Sequence, residues 1–194
     1  MVAAKRYATA AEYQLWARSN QARATGDEQN AQEMVIENLL DSCSRIINSY
    51  TNNFFWLVQN RTVSGRTDYG GFQRILRTDP ITAITSVKVN DRTLTAGTDY
   101  RREWELTDDP MVDPSFKLVT IGDKCWPSLA DYEIVGDFGY SNVPKGIKIA
   151  VMLMVNKLRY RPTNPTGIQD GMFIARYDPD VNALLNPYCR GRAV

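Results

Sequence analysis

The sequence predicts an α+β protein: an N-terminal helical hairpin, an antiparallel β-sheet region, a long apolar helix and an extended C-terminal arm. Three observations carry that prediction. Residues 27–50 set apolar side chains at helical spacing, and residues 144–161 do so again. Residues 72–140 between them are rich in β-branched residues, alternation and turn formers. After Pro162 and Pro165 the regular patterns stop. The expected organisation is one folded domain over 1–162 and an arm over 163–194.

The first helix is expected over 9–24. Thr9 and Glu12 have the spacing of a capping box, in which each side chain accepts from the other's backbone N–H. Gly26 sits where such a helix stops. The second helix, over 27–50, carries Ile36, Leu39, Leu40, Cys43, Ile46, Ile47 and Tyr50 on one stripe. A short turn between the two makes an antiparallel hairpin. The aromatic run 52–63 suits either a first strand or the end of the helix entering the core. "SGRTDYGG" (64–71) has the composition of a mobile loop and matches neither phosphate-cradling glycine motif.

"FQRILR" and, after Asp79-Pro80, "ITAITSVKVN" begin the sheet, and the polar stretch "NDRTLTAGTDY" supplies a hairpin reversal. In "YRREWEL", Tyr100, Arg102 and Trp104 alternate with Arg101 and Glu103. "FKLVTI" and "DYEIVGDFGY" complete a sheet of about four to six strands. Pro144 then suits the first turn of the last helix, where a missing N–H costs nothing. Ile147, Ala150, Val151, Met154 and Leu158 form its stripe, widened by Ile149, Met152, Leu153 and Val155. Lys157, Arg159 and Arg161 complement the dipole at its C-terminal end.

Composition limits the chemistry. A net charge of +1 gives no global attraction to nucleic acid or to an anionic membrane. No apolar run approaches ~18 residues, so no membrane span is expected, and the first residues lack the apolar core of a secretory signal. Cys43, Cys125 and Cys189 have no metal-ligand spacing and read as reduced thiols of a reducing cytoplasm, or of a particle assembled there. Histidine is absent, which removes the commonest general base and metal ligand. The acidic cluster Glu103, Glu105, Asp108, Asp109 and Asp113 is the most enzyme-like feature, but its spacing fits no calcium loop and Pro110 and Pro114 mark a solvated hairpin tip. No catalytic residue, metal or cofactor is expected. "RYRP" and "YRREW" mix bases with aromatics, yet contain no base-reading motif.

Two segments carry a resemblance. "RTDPITAITSVKVNDRTLTAGTDY" and "CWPSLADYEIVGDFGYSNVPKGIKIAVMLMVNKLRYRP", together about residues 74–162, are similar to the strand–hairpin and Gly-Tyr…Val-Pro passages of the head–tail connector (adaptor) proteins of tailed bacteriophages. The resemblance implies a ring of about twelve subunits beneath the portal at the capsid vertex. DNA would pass through without sequence specificity, and a downstream neck or tail-completion protein would dock below. It places the protein in the virion neck, and in the host cytoplasm during assembly. It implies a portal-binding arm around Arg176, Tyr177, Leu184, Leu185, Tyr188, Arg190 and Arg192, whose removal (176–194) is expected to leave the fold intact and abolish docking. Phe54, Phe55, Trp56, Met152 and Val155 are the candidates for contacts between subunits. The alternatives are a head-completion stopper, a tail-completion protein or, less favoured, a small metal-dependent enzyme using residues 103–113.

Overall fold

In a computed structural model, which describes residues 6–17, 27–69, 73–103, 114–159, 174–176 and 178–190, helices and a six-stranded antiparallel sheet fall into two units. The helical unit takes its residues from both ends of the chain, Met1–Phe55 and Val143–Val194; the sheet unit is the single stretch Trp56–Asn142.

Helix α1 (Ala10–Ala17) starts with the expected capping box: the Thr9 N–H donates to the Glu12 carboxylate at 2.8 Å and the Glu12 N–H to the Thr9 hydroxyl at 3.1 Å. The part of the first helix expected over 18–24 lies outside the described residues. Helix α2 (Asp27–Thr51) buries Ile36, Leu40, Cys43, Ile46 and Ile47, the stripe its periodicity requires. Helix α3 (Lys145–Arg159) buries Ile147, Ala150, Val151, Met152, Met154 and Val155. It is 15 residues long rather than the long apolar helix expected over 144–161, and it is amphipathic: Lys145 and Ile149 are exposed and Lys148, Asn156 and Lys157 half-exposed. The sequence stripe looked broader than the buried face because Ile149 and Leu153 count as apolar while remaining partly in water.

The expectation of an extended arm also needs correction. A helical turn at 174–176, helix α4 (Pro179–Leu185) and a 3₁₀ turn (Asn186–Tyr188) occupy the described part of 163–194. Asp178 caps α4 by accepting from the Val181 N–H at 3.2 Å, and Pro179 stands in the first turn. Val181 and Leu185, one turn apart, are fully buried, as are Ile174 and Ala175. So few apolar residues could not hold a fold by themselves; they are ordered against the surface that α3 offers them.

The strands are β1 (Val58–Arg66), β2 (Ile75–Val89), β3 (Arg92–Leu94), β4 (Tyr100–Glu103), β5 (Ser115–Thr120) and β6 (Asp131–Phe138). Their order is β1-β6-β2-β5-β4, with β3 paired to β2. Residues 64–66, expected in a loop, extend β1, because Ser64, Gly65 and Arg66 pair with Glu133, Tyr132 and Asp131. Asp79-Pro80 does not divide the sheet's longest strand. Residues 75–77 pair with β5 and residues 83–89 with β6, while Ile81 just after the proline meets both, so proline's missing N–H falls where the ladder changes partner. Asn90 and Asp91, both at positive φ, close the β2–β3 hairpin, the geometry a two-residue turn needs. Gly136 is required by close approach: a Cβ there would run into the Ala83 carbonyl oxygen. Leu76, Ile81, Val87, Val89, Leu118, Trp126, Ile134 and Phe138 form the interior of this unit.

Candidate assembly surfaces

Most of the residues expected to join subunits belong to the subunit's own interior. Phe55 is 0% exposed, set edge-on against Tyr7 and Tyr188 with ring centroids 5.5 Å away in each case. Its N–H donates to the Tyr7 hydroxyl at 3.0 Å. Val155 is fully buried and Met152 nearly so. Phe54 and Trp56 are half-buried. The residues named for portal binding also divide. Leu185 is buried, Leu184, Tyr188 and Arg190 are half-buried, and Arg176 is exposed; Tyr177 and Arg192 lie outside the described residues. The Arg190 N–H donates to the Thr51 carbonyl at 2.9 Å, tying the end of the tail to the end of α2.

One ion pair fixes the start of α4. The Lys157 ammonium donates to the Asp178 carboxylate, which also caps the helix. Burial pushes the Asp178 carboxyl up, but Lys157 and the Val181 N–H outweigh it and hold the group below the ordinary carboxylate value. At the other end of the unit, Lys148 donates to Glu12 at 2.8 Å, and this bond, followed by the Thr9 N–H, lowers the Glu12 carboxyl. Burial pushes the Cys43 thiol up to about 12, so it behaves as an apolar core group.

Most of the apolar surface that does face water was not singled out by sequence; Ile149, on the widened stripe of the last helix, is an exception. Leu15, Trp16, Met34, Val35 and Ile149 are exposed in the helical unit, and Tyr69, Ile75 and Leu129 in the sheet unit. A signal existed for Met34 and Val35: both fall off the Ile36–Leu40–Cys43–Ile47 stripe, so their apolar side chains point away from the buried face. For Ile75 no such signal existed, since its exposure depends on which side of the bent strand β2 meets solvent.

An open groove of about 610 Å³ in the sheet unit is lined by Ile84, Ala96, Gly97, Tyr100, Arg101, Arg102 and Glu103. Arg102 is turned into the unit, where its guanidinium donates to the Thr82 carbonyl. Glu103 is the one member of the acidic cluster among the described residues; Glu105, Asp108, Asp109 and Asp113 lie outside them. Among the described residues no three Asp, Glu, Cys or His side chains stand close enough to hold a metal ion, and no helix is long and apolar enough to cross a membrane.

The fold has known counterparts. A chain in the neck of an empty gene transfer agent particle, reconstructed with C6 symmetry, superimposes with a TM-score of 0.55 at 14% identity, over 97% of this chain and 92% of that one. A chain of the virion of a native gene transfer agent particle gives 0.52 at 15% identity, over the same shares. This chain has their fold. At such identity the likeness is one of backbone architecture, and it extends across both units. No family model and no curated protein matches the chain.

Proposed function

We propose that this protein is a structural subunit of a virion neck, a head–tail connector (adaptor). It forms a ring under the portal, joins the DNA-filled capsid to the neck and tail, and lets DNA pass. The observation that carries the reading is the fold shared over 97% of the chain with a neck chain of a gene transfer agent particle. The resemblance of residues 74–162 to adaptor sequences supports it independently, because that resemblance rests on residue patterns and not on backbone shape. The role is one of contact rather than catalysis, exercised in the virion neck after assembly in the host cytoplasm. Portal contact falls to the solvent side of the C-terminal segment, with Arg176 and the half-exposed Leu184 and Arg190 as its described members. Leu185 supports that surface from below.

Mass photometry of the protein mixed with the portal ring of the same genome tests the reading. A discrete added mass of about twelve subunits is expected. Binding to a downstream neck ring, with none to the portal, would move the protein to the stopper or tail-completion class. Binding to neither would overturn the structural role.

A further inference from the structure

Leu129 holds a backbone conformation that its side chain opposes. Its φ is 52°, in the left-handed region that glycine enters freely and a leucine only at a cost. Burial does not offset that cost, because Leu129 is 45% exposed. Thr67, itself buried, holds the turn on both sides of the leucine. The Thr67 N–H donates to the Ala130 carbonyl at 2.9 Å, the Ala130 N–H to the Thr67 hydroxyl at 2.8 Å, and that hydroxyl to the Pro127 carbonyl. The Arg66 side chain donates to the Leu129 carbonyl at 2.8 Å. The Leu129 N–H meets the Asp68 carbonyl at 3.5 Å, which sets the leucine beside the segment carrying Tyr69, 86% exposed. Leu129 and Tyr69 thus make an apolar knob that a fixed backbone holds out in water. The Asp68 carboxylate next to it has no ion pair among the described residues, whereas Arg66 is paired with Asp131 at 3.7 Å.

The same unit holds a matching recess. Its groove of about 610 Å³ has Ile84, Ala96 and Tyr100 as apolar lining, and a Cβ built on Gly97 would meet nothing within 4 Å. A cavity of ~150 Å³ seats a benzene ring, so the groove has room for a leucine and a tyrosine side chain. Arg102 is engaged with the Thr82 carbonyl, while Arg101 is exposed and has no ion pair among the described residues. With Glu103 the groove carries two bases and one acid, and the knob stands among two acids, Asp68 and Asp131, and one base, Arg66. The knob follows β1, one edge of the sheet, and the groove runs along β4, the other edge. The exposure of Tyr69 shows that a chain does not fill its own groove. We infer that the Tyr69–Leu129 knob of one copy seats in the Ile84–Ala96–Tyr100 groove of the next, with Asp68 facing Arg101. Knob and groove differ, so the contact is heterologous and propagates from copy to copy, closing into a ring when the rotation permits. The inference rests on the ring reading proposed above and specifies which surfaces build the ring.

Two variants test it, one without the knob (Leu129→Gly with Tyr69→Ser) and one without the groove (Ala96→Trp with Arg101→Glu); circular dichroism checks that both fold. Self-association is followed by sedimentation velocity at low salt. Each variant alone is expected to associate at least about tenfold more weakly than wild type. Mixed one to one, they are expected to form a heterodimer and nothing larger. The intact knob of one then fills the intact groove of the other, and no second junction remains. Should Ala96→Trp fail to fold, Asp68→Arg and Arg101→Glu, both at exposed positions, carry the same test by charge: weak alone, restored on mixing. Leu129→Gly by itself is expected to keep or raise the melting temperature, since it relieves the backbone. A clear fall would mean that Leu129 serves the fold and would overturn the assignment. Association equal to wild type in either variant would overturn this contact and leave the ring reading standing. Loss in both without recovery on mixing, or a wild-type chain that stays monomeric throughout, would also overturn it. Portal binding, measured separately, decides the ring reading on its own.

Discussion

The helical and sheet units solve the same problem of closing a core in opposite ways. The sheet unit is one uninterrupted stretch, and most of its pairings join strands through hairpins or return the chain to a strand already laid down. The helical unit is assembled from two remote pieces, one from each end of the chain. Phe55 sits edge-on between Tyr7 and Tyr188, Tyr13 donates to Asn156 at 3.3 Å, and the Arg190 N–H reaches the end of α2. Its core therefore depends on both ends of the chain, and the sheet's does not. The described part of the segment expected to be a dispensable arm is a structural part of the helical unit.

Removing residues 178–194 should break this comparison open most strongly. The loss of Val181 and Leu185 alone withdraws about 3–6 kcal/mol of burial, a large share of the ~5–15 kcal/mol that holds a typical domain. Hydrogen exchange should show α1, α2 and α3 losing protection while β2 and β6 keep theirs; equal loss in both units would refute the division. Because truncation unfolds the surface it was meant to probe, portal docking is better tested by the exposed substitution Arg176→Glu.

Phe55→Ala is the next largest test. The ring fills a fully buried site between two tyrosines, so the expected cost is about 3–5 kcal/mol in the helical unit, read by chemical denaturation. A cost below ~1 kcal/mol would mean that the unit does not depend on this aromatic junction.

The smallest effect is acid sensitivity at α4. The folded Asp178 carboxyl lies below its ordinary value of 3.8, so its contribution is fully present above that value and is lost as pH falls through the lower folded value. Lowering pH below about 4 should loosen residues 174–190 before β2–β6, and Asp178→Asn should remove the difference. Protection factors in α4, corrected for the intrinsic pH dependence of exchange, that do not fall below about pH 4 in the wild type would contradict it.

How much of this was legible beforehand differs by element. The capping box at Thr9 and Glu12, the buried stripe of α2 and the turn at Asn90-Asp91 were all readable, because each is decided by residues within a few positions of one another. The continuity of β2 through Pro80 was not, since it depends on two different strands accepting its two halves. Nor was the fate of Phe55, Met152 and Val155. An apolar residue reads the same whether its cover comes from its own chain or from a neighbour's, and only the fold shows that it is covered already.

The sequence by itself determined the α+β class, the places of α1, α2 and α3, the β character of the middle and the resemblance to adaptor proteins. Those follow from local periodicity, turn chemistry and short residue patterns. The tertiary structure decided that residues 174–176 and 178–188 are helical and partly buried, and which apolar residues remain in water. Burial arises from residues far apart in the chain meeting in space, and no local pattern encodes those meetings.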